Sequence, residues 1–294
     1  MTGRNVGFVG LGLMGTGFTR RLVACGHRVL GFDVDAEAMQ AARANGIQPA
    51  ASPAEIAKAC DVVFVCVTTT AAVAEVVRGE NGILAAGWRE GAVVVDLSTT
   101  EIPVTHALAA ELAQGRGTGF VDAPVSGGPA AAEAGSLAIM AGGEAESFER
   151  ARPLLSLFGL VTHMGGVGAG QATKLVNQAL CLTSFCVVAE ALRLAQACGV
   201  DAARIPDALA PGLANSAVLQ TVYRRMEAED FAPRGYARQV LKDLEMLQEA
   251  ARREHLAMPM AGQALQMFRL LIAQGKSELD GAAVVQLWPK PETH

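Results

Sequence analysis

Aromatic residues are scarce in this chain of 294 residues. They make up 5% of it, with only two Trp and two Tyr. Set against 32 Gly and abundant Ala, that scarcity suits closely packed helices and a glycine-rich ligand loop. Basic runs are absent and the formal net charge is −5, which argues against nucleic acid and against an anionic membrane surface as partners. No uninterrupted apolar stretch reaches the roughly 20 residues of a membrane helix. The most apolar long segment, around Leu175 to Cys198, carries Asn177, Gln178, Glu190 and Arg193. The opening residues Met1-Thr2-Gly3-Arg4-Asn5 lack the basic start, apolar core and small-residue cleavage site of a secretory signal. No CxxC pair occurs among the six cysteines (Cys25, Cys60, Cys66, Cys181, Cys186, Cys198), which sit in apolar runs and read as small buried hydrophobes in a reducing compartment. No repeat of fixed period appears. A soluble cytoplasmic protein is the expectation that remains.

What is present is apolar bulk. AVILMFWYC residues reach 51% and charged residues 18%, enough to bury sizeable cores and to exclude a disordered chain. The length favours two domains. Short apolar runs alternate with helical stretches through the first half. Residues 5–10, 27–33, 61–67, 92–97, 119–122, 136–141 and 160–163 read as strands. Residues 14–26 and 35–45 read as helices. Ser52-Pro53-Ala54-Glu55 is a capping box with Pro in the first helical position, so a third helix starts there. The continuous apolar run 61–67 suits a strand covered on both faces. Alternation of this kind predicts a parallel sheet with right-handed crossovers. From Gly168 onward the pattern is helical. A long helix is expected over about 171–198, stopping at Gly199 and running roughly 40 Å. Further helices are expected at 201–209, 216–228, 238–254 and 259–274, before a loose Pro-rich tail, Trp288–Glu292. The expected organisation is an α/β Rossmann domain over 1–165 followed by an all-α domain over 166–294, joined by the long helix.

Val6-Gly7-Phe8-Val9-Gly10-Leu11-Gly12-Leu13-Met14-Gly15 contains GxGxxG between a strand and a helix in the first βαβ unit, the context that makes this motif a dinucleotide fingerprint. Gly10 permits the tight turn, Gly12 admits a pyrophosphate, and Gly15 allows close helix–strand packing. The helix start adds amide donors and partial positive charge. Leu11, Leu13 and Met14 complete the loop. Asp33 ends the second strand about 20 residues on, where a carboxylate accepts from the adenosine ribose hydroxyls and repels a 2′-phosphate. No Arg stands at 34–36, so NAD is favoured over NADP. Asp33 could instead be an exposed loop residue or a helix cap, although Asp35 serves equally well as the cap. Val67 and Thr68 after the third strand, and Ser98-Thr99 after the fourth, are candidates to line the rest of the cofactor cleft.

A second constellation follows. Asp122-Ala123-Pro124-Val125-Ser126-Gly127-Gly128-Pro129 lies past a strand end. Its consecutive amides suit an anion-binding nest to which Ser126 adds a hydroxyl; a simple turn is the competing reading. Gly168-Ala169-Gly170-Gln171-Ala172-Thr173-Lys174-Leu175-Val176-Asn177 opens the long helix, with Lys174 and Asn177 on one face. A lysine in about the first turn, near the positive end of the helix dipole and in a cleft, has its pKa pushed down, as acid/base work requires. The competing reading is a solvated helix lysine.

With these segments in place, the chain resembles the β-hydroxyacid dehydrogenase family, which includes 3-hydroxyisobutyrate dehydrogenase, tartronate semialdehyde reductase and short-chain glyoxylate reductases. The resemblance covers nearly the whole chain through ordered motifs: GFVGLGLMG at 7–15, DLSTTEIP at 96–103, DAPVSGG at 122–128, GSLAIMAGG at 135–143, GAGQATKLVN at 168–177 and Lys242-Asp243-Leu244. It implies a Rossmann domain followed by an all-α domain, and a homodimer or homotetramer assembled through the α-domains. It implies that Lys174 is the catalytic acid/base, that Asn177 positions substrate, and that Ser126, Gly127 and Gly128 hold the substrate carboxylate. By the same resemblance Phe231 lies on the substrate side, Thr99 and Lys242 on the cofactor side, and Asp243 could pair with Lys242 or Lys174. Two departures stand out. Gln178 replaces the second Asn of many relatives, and Arg234 and Arg238 offer cations for a further polar group of the substrate or simply lie on the surface.

The implied reaction is reversible oxidation of a small β-hydroxy acid to its semialdehyde, with NAD taking the hydride and Lys174 the hydroxyl proton. No metal is called for, and His27, His106, His163, His255 and His294 show no ligand spacing. Open alternatives are reduction of glyoxylate, succinic or tartronate semialdehyde, and an L-threonate-type dehydrogenase. A non-catalytic binding module or an imine reductase would be expected to lack the lysine.

Overall fold

The computed structural model describes residues 5–87 and 91–291. The expectations for Met1–Arg4 and for Glu292 at the end of the tail lie outside the described residues. The chain divides into two compact units, the first ending at Lys174 and the second beginning at Leu175.

Unit 1 begins β1 (Asn5–Val9), α1 (Leu13–Ala24), β2 (Arg28–Phe32), α2 (Ala36–Ala44), β3 (Gln48–Pro49), α3 (Pro53–Ala59), β4 (Val62–Val65) and α4 (Thr70–Arg78). It continues β5 (Val93–Asp96), α5 (Ile102–Arg116), β6 (Gly119–Asp122), β7 (Val125–Ser126), α6 (Gly128–Ala134), β8 (Leu137–Gly143), α7 (Ala145–Leu155) and β9 (Gly159–Gly165), and then enters α8 (Ala169–Ala197). The sheet runs β3-β2-β1-β4-β5-β6-β8-β7, with β9 also on β8. The strand order reverses between β1 and β4, so the carboxyl ends of these two strands flank a topological switch point, the place where such sheets bind ligands.

The local reasons are readable. Ser52 caps α3 by accepting the Glu55 amide at 3.2 Å, with Pro53 in the first turn. Asp35 caps α2 by accepting from Glu37. All of β4 is buried, and its side chains part by alternation. Val62 and Phe64 join one core cluster with Val6, Phe8, Val93, Val95 and Val121. Val63 and Val65 join another with Val9, Val94 and Phe120. The few aromatics are concentrated, since Phe8, Phe18, Phe64 and Phe158 form one knot with ring centroids 4.8–5.9 Å apart.

The all-parallel expectation fails past β6. Strands β1 to β6 are parallel, but β8 runs antiparallel to both β6 and β7. Register is continuous from Val121 opposite Gly143 to Ser126 opposite Ala138, so β6 and β7 form one interrupted strand. The seven-residue α6 with its flanking turns is shorter than the dozen or more residues a parallel crossover needs. The reversal brings Asp122 and Ser126 onto the same strand path, four residues apart.

Unit 2 contains most of α8, then α9 (Ile205–Ala208), a π-turn at Leu219–Tyr223 leading into α10 (Arg224–Glu227), α11 (Ala237–Arg253) and α12 (Pro259–Ala273). Among the described residues its β pairing is an isolated bridge, Tyr236 to Asp280. The helix expected over 201–209 is split into a 3-10 turn and α9. By length and composition alone α8 is apolar enough to cross a bilayer. Val176, Leu180, Val187 and Leu194 are 61–70% exposed along one side of it. All six cysteines are free thiols, yet only Cys60 is fully buried, and Cys198 at the end of α8 is exposed. The expectation that all were buried is corrected there: a helix end offers little cover.

Candidate active site

The glycine loop joins β1 to α1. Gly10 has φ +96°, and a Cβ there would fall 2.1 Å from the Cys66 carbonyl oxygen. A Cβ on Gly15 would fall 1.9 Å from the Gly10 carbonyl oxygen. A Cβ on Gly12 would meet nothing within 4 Å, so this glycine leaves open the space before the helix. Gly12 is also the N-cap of α1 and no side chain caps that end. An open approach to an uncapped helix N-terminus fits a dinucleotide pyrophosphate. Leu11 is buried while Leu13 is exposed, and Met14 is half-buried.

Asp33 pins this loop. Its carboxylate accepts the Leu11 amide at 2.6 Å and the Asp35 amide at 2.9 Å. Past β4, Val67 is half-buried and Thr68 exposed; the Val67 amide donates to Ser98 Oγ at 3.0 Å, tying the β4 end to the β5 end. Thr99 is half-exposed between the buried Ser98 and Thr100.

Beneath these loops lie two buried carboxyls on neighbouring strands, Asp96 opposite Asp122. Asp96 accepts from Thr100 Oγ1 at 2.6 Å and from the Ser98 amide at 2.9 Å. Burial pushes its pKa up to about 6, against the opposing pull of those bonds, with the Asp122 charge adding to the rise. Asp122 is also pushed up by burial, opposed by the Gly168 and Gln171 amides. Burial, then the Asp96 charge, raises the Cys66 thiol to about 12, so it is protonated at neutral pH.

Asp122 holds the start of α8. Its two oxygens accept the Gly168 amide at 2.8 Å and the Gln171 amide at 2.9 Å. These are groups a helix N-terminus leaves without an internal partner. One turn on, Lys174 is buried, and its Nζ donates to the Val125 carbonyl at 2.7 Å. A solvated surface lysine is thereby ruled out. Lys174 lies in the second turn of α8 rather than the first, so the dipole acts on it more weakly than the sequence argument supposed. Next to Val125, Ser126 is followed by Gly127 at φ +136° and Gly128 at φ +79°. Gly127 packs on Ala131 and Leu137, whereas the space beside Gly128 is open. Lys174, Ser126 and the two glycines are therefore brought together within unit 1.

Unit 2 carries the remaining candidates. Asn177 Nδ2 donates to Gln178 Oε1 at 2.9 Å, and Gln178 Nε2 donates to Asp243 Oδ2 at 2.5 Å. Asp243 pairs with Lys242 at 3.0 Å. The longer side chain of Gln178 thus ties α8 to α11. Phe231 is half-buried, and its carbonyl accepts the Asp280 amide. Arg234 pairs with Asp230 and Arg238 with Glu278, and both arginines are exposed. Both ion pairs lie on the surface of this unit.

Residues 5–166 match the family model described as the NAD binding domain of 6-phosphogluconate dehydrogenase. Residues 168–288 match that of NAD-binding of NADP-dependent 3-hydroxyisobutyrate dehydrogenase. The 2-hydroxy-3-oxopropionate reductase of Escherichia coli is 34% identical, covering 96% of each chain. The chain belongs to the β-hydroxyacid dehydrogenase family. Among solved structures, this family member resembles 3-hydroxyisobutyrate dehydrogenase from Salmonella typhimurium with a TM-score of 0.88 and 29% identity, covering 97% of this chain and 100% of that one. It also resembles Psf3, solved in complex with NADP+ and 2-OPP, with a TM-score of 0.89 and 27% identity over 96% and 99% of the two chains. The enzyme is an oxidoreductase with NAD(P)-binding domains.

Sequence reasoning passed over Gln171, Asp96 and Asp122 as working residues. All three lie inside quoted motifs, but nothing local marks a polar residue as buried. The one available signal was the dense run of polar and glycine residues immediately after apolar strands.

Proposed function

We propose that this enzyme uses NAD to interconvert a small β-hydroxy acid of the 3-hydroxyisobutyrate type with its semialdehyde, with Lys174 as acid/base. The reaction class, oxidation and reduction at a CH–OH group, follows from family membership. The observation that carries the residue assignment is the buried Lys174, bonded to Val125 O beside the open turn at Ser126–Gly128.

Bound nicotinamide supplies the two-electron acceptor. The protein's own residues do the rest. Ser126 and the amides of Gly127 and Gly128 hold the substrate carboxylate, which fixes where the β-carbon hydroxyl lies. In oxidation a neutral Lys174 takes the hydroxyl proton as the C–H bond is lost; in reduction its ammonium returns it. The Nζ bond to Val125 O orients the amine for this transfer. The preference for NAD is supported by Asp33 and Asp35 at the end of β2, where a 2′-phosphate would meet two carboxylates and no cation at positions 34–36.

The same reading makes the enzyme a homo-oligomer, supported by the exposed apolar stripe on α8, and places it in a reducing, cytoplasmic setting, supported by six free thiols. Initial rates of reduced-nicotinamide formation (NADH or NADPH) with 3-hydroxyisobutyrate, glycerate, serine, threonate and 4-hydroxybutyrate, each with NAD and with NADP, test it. A clear NAD preference with one good acid is expected. An NADP preference would sink the Asp33 argument, and activity only with aldehydes would mark a dedicated reductase.

A further inference from the structure

Gln171 is buried with no exposed surface, and it reaches across to the loop after β5. Its Oε1 accepts the Thr100 amide at 3.0 Å, and its Nε2 donates to the Ser98 carbonyl at 2.9 Å. The assignment of oxygen and nitrogen is forced, because a backbone N–H only donates and a C=O only accepts. One side-chain amide therefore grips the residues on both sides of Thr99. The backbone amide of the same residue donates to Asp122, and Lys174 follows one turn later on α8.

We propose that Gln171 is a positioning residue that sets the separation between Thr99, on the cofactor side, and Lys174. Hydride and proton leave the same carbinol group, so the groups receiving them must keep a fixed spacing. Misplacement by about 1 Å costs on the order of 100-fold in rate. Ser98 extends the grip, since its Oγ accepts the Val67 amide. The β4 end, the β5 end and the start of α8 thus move as one body. The proposal rests on Lys174 as acid/base and on Thr99 as a cofactor contact.

The test compares Gln171→Leu, Gln171→Glu and, in parallel, Lys174→Ala, all in the full-length enzyme with folding checked by circular dichroism. Gln171→Leu loses both side-chain bonds at similar size. Its kcat is expected to fall about 10- to 100-fold, with the KM for the hydroxy acid within about threefold. NADH affinity, read by fluorescence titration, is expected to weaken about threefold or more as Thr99 loosens. Gln171→Glu separates positioning from mere stability. An ionised glutamate sets an acceptor against the Ser98 carbonyl, whereas a protonated one restores the donor and acceptor pattern of glutamine. Burial and the neighbouring Asp96 and Asp122 carboxyls raise that glutamate's pKa. The other ionisable groups close by are Lys174 on the same helix and His106, whose ring lies against Gly168. Both are present in the wild type and in Gln171→Leu, so dividing each rate by the wild-type rate at the same pH removes the dependence they share, and Gln171→Leu is the control without a new charge. The ratio for Gln171→Glu is expected to climb as pH falls from about 9 to about 6, while that for Gln171→Leu stays flat. A Gln171→Leu enzyme with kcat within twofold of wild type and unchanged NADH affinity would overturn the proposal, as would a flat ratio for Gln171→Glu. If Lys174→Ala is inactive in that case, only the role of Gln171 falls. If Lys174→Ala keeps its turnover, the acid/base assignment falls and the proposal goes with it.

Discussion

The glycine loop and the start of α8 are both places where a helix begins at the carboxyl edge of the sheet, yet they are built in opposite ways. At Gly10–Gly15 the chemistry is that of the backbone, and it depends on side chains being absent. Gly10 and Gly15 are tight against carbonyl oxygens while Gly12 faces open space. At Gly168–Lys174 the chemistry belongs to side chains, and the helix start is already occupied by the Asp122 carboxylate. The first helix N-terminus is left for a ligand, and the second is consumed in holding a lysine still. Two uses of the same helix-end donors follow from whether a carboxylate of the protein lies underneath.

The comparison breaks most sharply at Lys174. Replacing it with Ala is expected to lower kcat by about 10²- to 10⁴-fold, the range for loss of a general acid/base, while NADH affinity by fluorescence stays near wild type. Turnover within tenfold of wild type would return α8 to a purely structural role.

Two glycine variants sharpen the other side. Gly10→Ala places a methyl against the Cys66 carbonyl at positive φ and is expected to destabilise the fold by about 1–3 kcal/mol or more, seen as a lowered Tm. Gly12→Ala meets no protein atom, so its stability is expected to stay within about 0.5 kcal/mol while NADH affinity drops about tenfold or more, since the added methyl occupies the pyrophosphate's approach. Equal effects on stability for the two would show that the loop is not divided between packing and binding.

A pH dependence of stability is expected from the carboxyl beneath these loops. Asp96 has its pKa raised from 3.8 to about 6, so the folded state binds this proton more tightly than the unfolded chain. Its contribution is fully present below about pH 4 and is lost as pH rises through about 6, a change of roughly 1–3 kcal/mol. Urea unfolding at pH values from about 4 to about 7 should show Asp96→Asn gaining on wild type by that amount as pH rises. Parallel profiles would mean that Asp96 titrates alike in both states.

Much of the molecule was legible beforehand, for identifiable reasons. The β1–α1 turn, the Ser52 cap and the doubly buried β4 depend on neighbours in sequence, so pattern and residue type suffice. The antiparallel return of β8 was missed because strand direction depends on whether a connection is long enough to cross over, and α6 looked like any other crossover helix. Gln171 was missed because its partners, Ser98 and Thr100, lie more than 70 positions away. The pairing of Arg238 with Glu278 was equally illegible, since the two lie 40 positions apart.

By itself the sequence determined the αβ alternation, the dinucleotide turn and the acidic end of β2, because each is a property of a contiguous segment and its allowed backbone. Only the tertiary structure decided that Lys174 is buried and bonded to Val125, that Asp122 is spent on the helix above it, and that one glutamine joins two strand-end loops to that helix. Those outcomes are hydrogen bonds between residues far apart in the chain, and a buried polar group takes whichever partner the fold brings within reach.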